Sequence, residues 1–523
     1  MNCAIFSIRV FFSAIFLTFA VGSAIAQMAP RGSYVPDELL VKFVGGAASD
    51  NARFANRAIG SAVLEDLGDL GWQRVRIPLG VSVDDAIKKY KKFGAVESVQ
   101  PNFYYHLLLT PNDPQFISSG MYGLTKISAP QAWDLSTGSS DVVVADIDTG
   151  MRYTHEDLAA NAWTNPGEIP NNGIDDDGNG FVDDYYGWDF RFNDSDPIDL
   201  DSGVSAAHGT HTAGTIGAVG NNMVGVVGVN WNVKLMTIKI FNNTVNDDTT
   251  SAMLVNAYGY IRMMKLRGIN IRATNNSYGG CTEACGYDQA TKDGLDALGN
   301  AGVLNVFAAG NSSSNNDITP SYPASYTSPS VIAVAASDSN DNKASFSQYG
   351  AISVDLAAPG VNILSTVPTG YSSSFSGTSM ATPHVTGAVA LLSAYRPDLS
   401  VASLKASLMN NVDLLPAWNG IVKSGGRLNV FKAMQNPTVC NFTVGTGSMK
   451  AQTKGGVFTV NVPAGPNCDY FVTSSVNWIH VLTPNLMSGA GTVTFRVTVN
   501  PSITRSSTIS IGGQNFTVSQ SRN

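Results

Sequence analysis

The sequence predicts an α/β protein built on a largely parallel sheet, with a small α+β unit ahead of it and an all-β sandwich behind it. Three observations predict this. Between residues 110 and 437, apolar runs of strand length alternate with longer helical patterns and meet at Gly-rich joints, as when helices cross between parallel strands. Ahead of that body, strand and helix patterns follow one another closely. Behind it the composition turns to Thr, Val, Ser and Gly, and apolar residues recur with period two. A chain of 523 residues exceeds one typical core. The expected division is a leader over 1–26, the α+β unit over 27–109, the α/β body over 110–437 and the sandwich over 438–523.

Residues 1–26 carry Arg9, an apolar run over 10–21, and Ala24, Ile25 and Ala26 before Gln27, the three regions of a secretory leader. The run falls short of the about 20 residues a bilayer span needs, so a secreted, soluble protein is expected rather than an anchored one. In 27–109, ELLVKF (38–43) and WQRVRI (72–77) read as strands. Ser82 caps a helix with Asp84 and Asp85 in its first turn and Lys91 and Lys92 in its last. VESVQPNFYYH (96–106) reads as an extended piece running into Leu107, Leu108 and Leu109. In the body, residues 142–147, VKLMTIKIF (233–241), GVLNVFAAG (302–310) and SVIAVAAS (330–337) read as strands, and 251–267 as a helix. In the last segment GVFTVNV (456–462), TVTFRVTV (492–499) and TISIGGQNFTVSQ (508–520) alternate, with Gly512 and Gly513 suiting a hairpin turn.

Charged residues make up 14% of the chain, against a usual share of about 25%, and the formal net charge is −8. No Lys/Arg cluster offers a nucleic-acid footprint, and an acidic surface suits calcium. Of five cysteines, Cys3 leaves with the leader. The remaining four allow three pairings; nearness in the chain favours Cys281 with Cys285 and Cys440 with Cys468, bridges expected in an oxidising compartment.

The chemistry centres on FSGTSMATPHVTG (375–387), where a small, Gly-rich approach opens into an Ala-rich buried helix. Ser379 at this junction is a candidate nucleophile beside free N–H groups, although on this segment alone an ordinary capping serine explains it equally well. Asp148 ends a buried strand before Thr149 and Gly150, His208 opens HGTHTAG, and VFAAGN ends a strand at Asn311. All four stand where strands meet the next element, the edge at which open α/β folds bind ligands. A serine nucleophile needs a base, the base an acceptor that fixes its tautomer, and the oxyanion a donor.

These segments, DTG, HGTHTAG, AAGN and GTSMATPH, resemble the subtilisin-like serine proteases, and the order Asp, His, Ser is theirs. The resemblance is nearly continuous from Thr110 to about Pro437 and lies nearest thermitase-type members through TPNDPQF, NDNKASFSQYG and GTSMATPH. It implies a largely parallel sheet with helices on both faces and a monomeric, secreted serine endopeptidase that cleaves proteins or peptides through an acyl-enzyme. NNSYGG (275–280) resembles the substrate-binding strand, which gives that role to Ser277, Tyr278, Gly279 and Gly280. Ala308, Ala309 and Gly310 resemble the facing wall of the P1 pocket. Residues 27–109 resemble the subtilase inhibitory prosegment, an intramolecular inhibitor whose apolar tail would occupy the cleft of an autoprocessed zymogen. A catalytically silent secreted binding protein is the alternative, and the intact set of four residues speaks against it.

The insertion NNGIDDDGNGFVDD (171–184) places Asp175, Asp177, Asn179 and Asp183 at alternate positions with Gly180 at the turn, much like a calcium loop. Its twelfth position is Tyr186 and not Glu, so it is no full EF-hand, and a solvated loop is the bland alternative. The thermitase-like pattern implies two further calcium positions, one around Asp113, Asp157 and Asn222 and one around Asp189, Asp194 and Asp196. Structural carboxylates held by backbone donors are the alternative for both. No organic cofactor is implied. The last segment resembles the BACON-type Ig-like modules, with Cys440, Trp478 and Ile479 as matching points; a glycan or surface ligand and a plain spacer are equally in view.

His211 and His384 read as structural, His155 lies beside Asp157, and His480 lies in the separate β module. One departure stands out. Asp146 occupies a position where the family usually has an apolar residue, and period two puts it on the same strand face as Asp148. The DTG context assigns the acid to Asp148.

Overall fold

In a computed structural model, residues 34–104, 109–119, 121–200, 207–242, 249–279, 286–445, 447–500 and 503–521 are described. The leader over 1–26, Gly280 and the expected Cys281–Cys285 pair lie outside them. The chain forms two compact units, Met1–Leu107 and Leu108–Asn523.

The first unit holds strands Tyr34–Phe43 (β1), Ala62–Asp66 (β2), Trp72–Arg76 (β3) and Val96–Phe103 (β4) and helices Asp50–Ile59 (α1) and Val83–Tyr90 (α2). The strands form an antiparallel sheet in the order β2-β3-β1-β4. Leu39, Val41 and Phe43 alternate inward and pack with Val75, Ala52, Ala55, Val83, Ala86 and Tyr90. Ser82 Oγ accepts the Asp85 N–H at 3.1 Å and caps α2. The helix stops earlier than expected: Lys91 is its C-cap, and the cations of the last turn are Lys88 and Lys89. The chain tightens there, because the Lys92 N–H reaches only to the Lys89 carbonyl.

The second unit opens with short helices Pro114–Ser119 (α3), Tyr122–Lys126 (α4) and Ala129–Trp133 (α5). Its main sheet contains Gly138–Asp148 (β5), Gly187–Asp189 (β6), Asn232–Lys239 (β7), Ile271–Asn276 (β8), Leu304–Ala308 (β9), Val331–Ser337 (β10) and Leu356–Pro359 (β11). A hairpin of Ile363–Val367 (β12) and Gly370–Phe375 (β13) follows, and Asp413–Leu414 (β14) and Gly426–Arg427 (β15) extend one edge of the sheet. The nine strands run β14-β15-β11-β10-β9-β8-β5-β7-β6, all parallel except β14 against β15. The order reverses at β5, whose neighbours β7 and β8 both come later in the chain. A crevice opens at the carboxyl end of a strand where such a reversal occurs.

Helices His208–Gly217 (α6) and Thr378–Tyr395 (α9) share a core with Val142 and Val144 of β5, while Ser251–Leu266 (α7) and Gln289–Asn300 (α8) share another with Val143, Ala145 and Ile147. Helices therefore cover both faces, which is why β5 reads as a largely apolar run. Asp146 and Asp148 interrupt that run on the α6/α9 side.

Helices Val401–Asn410 (α10) and Val430–Gln435 (α11) complete the body. A strand-rich region follows: Ser448–Ala451 (β16), Gly456–Val462 (β17), Asp469–Ser474 (β18), Ile479–Val481 (β19), Leu486–Ser488 (β20), Gly491–Val497 (β21), Arg505–Ile511 (β22) and Gln514–Gln520 (β23). Sheets β16-β23-β22-β18-β20 and β17-β21-β19 close over Val460, Val493, Phe495, Val472, Ile509 and Val518. Gly512 and Gly513 turn β22 into β23 with φ of 56° and 78°, values that favour glycine and fit the twist of a two-residue hairpin.

This region is fastened to α10. Lys405, 4% exposed, donates to the Val331 carbonyl at 2.7 Å and lies 3.0 Å from Asp469 and 3.6 Å from Asp355. Burial alone would lower its pKa, but the two carboxylates reverse this and raise it. Asn410 bonds the Pro466 carbonyl and Asn467, and the Cys440–Cys468 disulfide packs on Ala406 of the same helix. Taking away this cation leaves two buried carboxylates facing a more exposed and more distant one, Lys423, at 4.0 Å from Asp355 and 3.9 Å from Asp469. Lys405→Ala is therefore expected to cost about 3–5 kcal/mol, read from chemical denaturation with limited proteolysis of the strand-rich region alongside. A loss below about 1 kcal/mol, the range of an exposed pair, would show that the contact is not the fastening it is taken to be.

Candidate active site

β5 ends at Asp148 in the crevice between β7 and β8. Asp148 is 2% exposed, and its Oδ1 lies 2.7 Å from His208 Nδ1 in the first turn of α6. The same oxygen accepts the Thr149 N–H at 2.7 Å. With the carboxylate on Nδ1, that nitrogen carries the proton and Nε2 is left as the base. Burial acts to lower the His208 pKa, but the Asp148 carboxylate outweighs it, and the imidazole is held above its ordinary range.

So close a contact requires a helix start to lie against a strand end. A Cβ on Gly209 would stand 2.1 Å from the Gly150 carbonyl oxygen, and Gly150 itself has φ of 105°. Thr149 and Asp199 clamp the junction. Thr149 Oγ1 accepts the Gly209 N–H at 2.9 Å and donates to Asp199 at 3.1 Å, while Asp199 accepts both the N–H and the hydroxyl of Thr210. Ala207, just before His208, has φ of 72°. A left-handed backbone costs a non-glycine residue on the order of 1–3 kcal/mol, strain of the kind found at functional sites.

Ser379 does not cap its helix. Gly377 is the N-cap of α9 and Ser379 falls in the first turn, among the N–H groups that have no partner within the helix. Pro383 lacks the N–H that would bond the Ser379 carbonyl, and Ser277 Oγ donates to that carbonyl instead, at 2.9 Å. In return Ser379 Oγ donates to the Ser277 carbonyl at 2.9 Å. In this state the hydroxyl proton is directed at β8's extension rather than at a base.

Asn311 follows β9. Its Oδ1 accepts the backbone N–H and the hydroxyl of Thr378, each at 2.9 Å. Only an oxygen can accept from an N–H, so the amide nitrogen is fixed as the outward donor. Ala308 and Ala309 are buried and Gly310 half-buried at the end of β9. Beyond β8, Ser277 and Tyr278 are held by the two bonds to Ser379 and by Tyr258 and Asn276, and Gly279 is exposed.

His211, His384 and His155 are held as structural groups. His211 is fully buried, bonded to the Ile363 carbonyl at 2.9 Å and pushed down to about 3 by burial. His384 bonds the Met380 carbonyl and is pushed down to about 4 by burial. His155 accepts the Asp157 N–H and faces the Gly370 carbonyl.

The expected calcium residues fare differently. Asp113 and Asp157, both fully buried, meet at Asn222: Asp113 accepts the Asn221 and Asn222 N–H groups, and Asp157 the Asn222 side-chain amide. In the acidic insertion the structure gathers Glu168, Asp175 and Asp177, with one oxygen of each within 4.8 Å of the others. Glu168 Oε2 and Asp177 Oδ1 are buried without a hydrogen-bond donor among the described residues. Asp183 instead accepts the Asn172 and Gly173 N–H groups, and Asn179 bonds Asp177 and Asp184. Glu168 is missed by reading the loop alone, since it precedes the alternating pattern. Asp189, Asp194 and Asp196 do not join as a three-carboxylate group. Buried Asp189 has Lys239 at 3.8 Å and two backbone donors, while Asp196 accepts from Tyr153.

Comparison with known proteins gives two family matches: "Subtilase family" over residues 139–447 and "Fervidolysin N-terminal prodomain" over residues 22–102. Thermitase of Thermoactinomyces vulgaris is 37% identical over 326 residues, 62% of this chain and 99% of that protein. A thermophilic serine proteinase of Bacillus sp. strain AK1 is 32% identical over 405 residues, 77% of this chain and 88% of its own. An extracellular protease of Xanthomonas campestris pv. campestris is 31% identical over 452 residues, 79% and 74% of the two chains.

Asp148→Asn removes the charge that raises the His208 pKa and leaves burial to lower it. The imidazole resonances of His208, followed by NMR against pH, are expected to titrate at lower pH in the variant. An unmoved midpoint would mean that Asp148 is not the group that sets it.

Proposed function

The chain belongs to the subtilase family of serine endopeptidases and carries a prodomain, and on that premise we propose the residues that do its chemistry. The contact between buried Asp148 and His208, at the strand reversal, carries the reading. Ser379 Oγ attacks the scissile carbonyl of a protein or peptide as His208 Nε2 takes its proton. Asp148 holds the Nδ1–H and stabilises the imidazolium. The tetrahedral oxyanion is met by the Ser379 backbone N–H and the Asn311 amide. His208 then protonates the leaving amine, and water hydrolyses the acyl-enzyme. Ser277, Tyr278, Gly279 and Gly280 pair with the substrate backbone as an added strand, and Ala308, Ala309 and Gly310 face its P1 side chain. The intact set of four residues leaves a catalytically silent binding protein without support.

Among the described residues no helix is long and apolar enough to cross a membrane. The secretory pattern of 1–26 supports export, and residues 27–109 act as an inhibitor removed by the enzyme itself. Subtilases typically bind structural calcium. Glu168, Asp175 and Asp177 fit a divalent ion because two of their buried oxygens have no hydrogen-bond donor, although Arg267 lies 3.6 Å from Asp177 Oδ1, and Asp113, Asp157 and Asn222 are a second candidate set.

Two experiments test the assignment. Intact masses of wild type and Ser379→Ala, produced in parallel, are expected to show loss of the segment ending near Leu109 in wild type only. Equal trimming or none in both would contradict self-cleavage. Asn311→Ala is expected to lower kcat by about 10²–10³ with KM little changed, as for loss of one oxyanion donor. A KM effect alone would move Asn311 from the chemistry to substrate binding.

A further inference from the structure

Asp146 lies two residues before Asp148 on the same face of β5 and is 2% exposed. Its Oδ1 faces the Asn275 amide nitrogen at 2.8 Å and its Oδ2 faces Thr212 Oγ1 at 2.9 Å. The count of protons around Thr212 is informative. The Thr212 hydroxyl is also 2.9 Å from the Gly209 carbonyl, which can only accept. If Asp146 were ionised, one hydroxyl proton would have to serve two acceptors. If Asp146 carries a proton on Oδ2, each contact has its own hydrogen: Asp146 donates to Thr212, and Thr212 donates to Gly209.

The surroundings point the same way. The titratable groups facing Asp146 are Asp148 of its own strand and His208 of α6; β8 and α9 present the neutral Asn275 and Thr386. No lysine or arginine pairs with Asp146 among the described residues. A buried carboxylate with another two residues away and no cation is strongly disfavoured, and burial together with the Asp148 charge drives its pKa well above the carboxylate range.

The contacts reach the elements that carry His208, Ser277 and Ser379. Thr212 and the Gly209 carbonyl belong to the turn of α6 that carries His208. Asn275 bonds Ser277 Oγ at 3.0 Å, which bonds the Ser379 carbonyl at 2.9 Å. The Asn275 orientation is fixed by this chain, because Ser277 Oγ spends its own proton on the carbonyl and must accept. We infer that Asp146 is a neutral carboxylic acid that donates to Thr212 and positions His208 and Ser379 from beneath the site. The positioning role depends on the catalytic assignment above; the protonation state does not.

The test separates the two. With the full chain carrying Ser379→Ala, the infrared difference at neutral pH between Asp146 and Asp146→Asn is expected to contain the carbonyl band of a protonated carboxyl. A carboxylate band in its place would overturn the proposal whatever the enzyme does. In the active chain, Asp146→Val removes the donor and is expected to lower kcat by about 10- to 100-fold with KM within about twofold. Asp146→Asn keeps both hydrogen bonds without a charge and is expected to return kcat to within about threefold of wild type, with the acidic limb of its pH profile in place. An acidic limb displaced to lower pH in Asp146→Asn would show that a negative charge had been lost there, and failure of Asn to rescue Val would rule out the neutral-donor role.

Discussion

The 2.7 Å contact between Asp148 and His208 is the constraint around which the body is arranged. It brings the end of a central strand against the start of a helix, and neither can yield much. Gly150 and Gly209 leave out the side chains that would collide, Thr149 and Asp199 tie the two backbones together, and Ala207 takes a left-handed turn so that α6 starts where it does. The carboxylate side of the pair is almost dry, while the imidazole stays partly exposed. Its geometry therefore has to be set by packing before any substrate arrives, as preorganised electrostatics requires.

Ser379 is fixed by a different device. A proline in the second turn of α9 frees the Ser379 carbonyl, and Ser277 fills the gap, so Ser277 and Ser379 are bonded to each other twice. Asn311 is aimed by Thr378, the residue next to the nucleophile. His208, Ser379 and Asn311 thus come from separate elements, each held by side chains of neighbouring residues. The strand-rich region, locked to α10 through Lys405, Asp355 and Asp469, has the same character: a buried charge group that is stable only when complete.

Much of this was legible in the sequence. The parallel strands showed as apolar runs because both faces of the sheet are covered, and Asp148, His208, Asn311 and Ser379 stood out because each ends or begins an element beside glycine. Local pattern could not show what depends on long-range contacts. Thr149, Asp199 and Thr378 look like ordinary polar residues until the fold brings their partners to them. Glu168 lies outside the alternating acidic pattern, so spacing joined Asp183 to Asp175 and Asp177, whereas the folded loop puts Glu168 there and turns Asp183 to the backbone. Lys239, 3.8 Å from Asp189 of WDFRFNDSD, likewise comes from a neighbouring strand that local pattern could not name. Asp146 was visible as an oddity, but its proton count needed the contacts of Thr212.

The most direct test of the central claim is covalent labelling of the purified chain with a serine-directed phosphonyl fluoride, followed by peptide mapping. The proposed roles of Asp148, His208 and Asn311 predict a single adduct on Ser379 that His208→Ala abolishes. An unlabelled chain, or an adduct on another serine with Ser379 untouched, would contradict it.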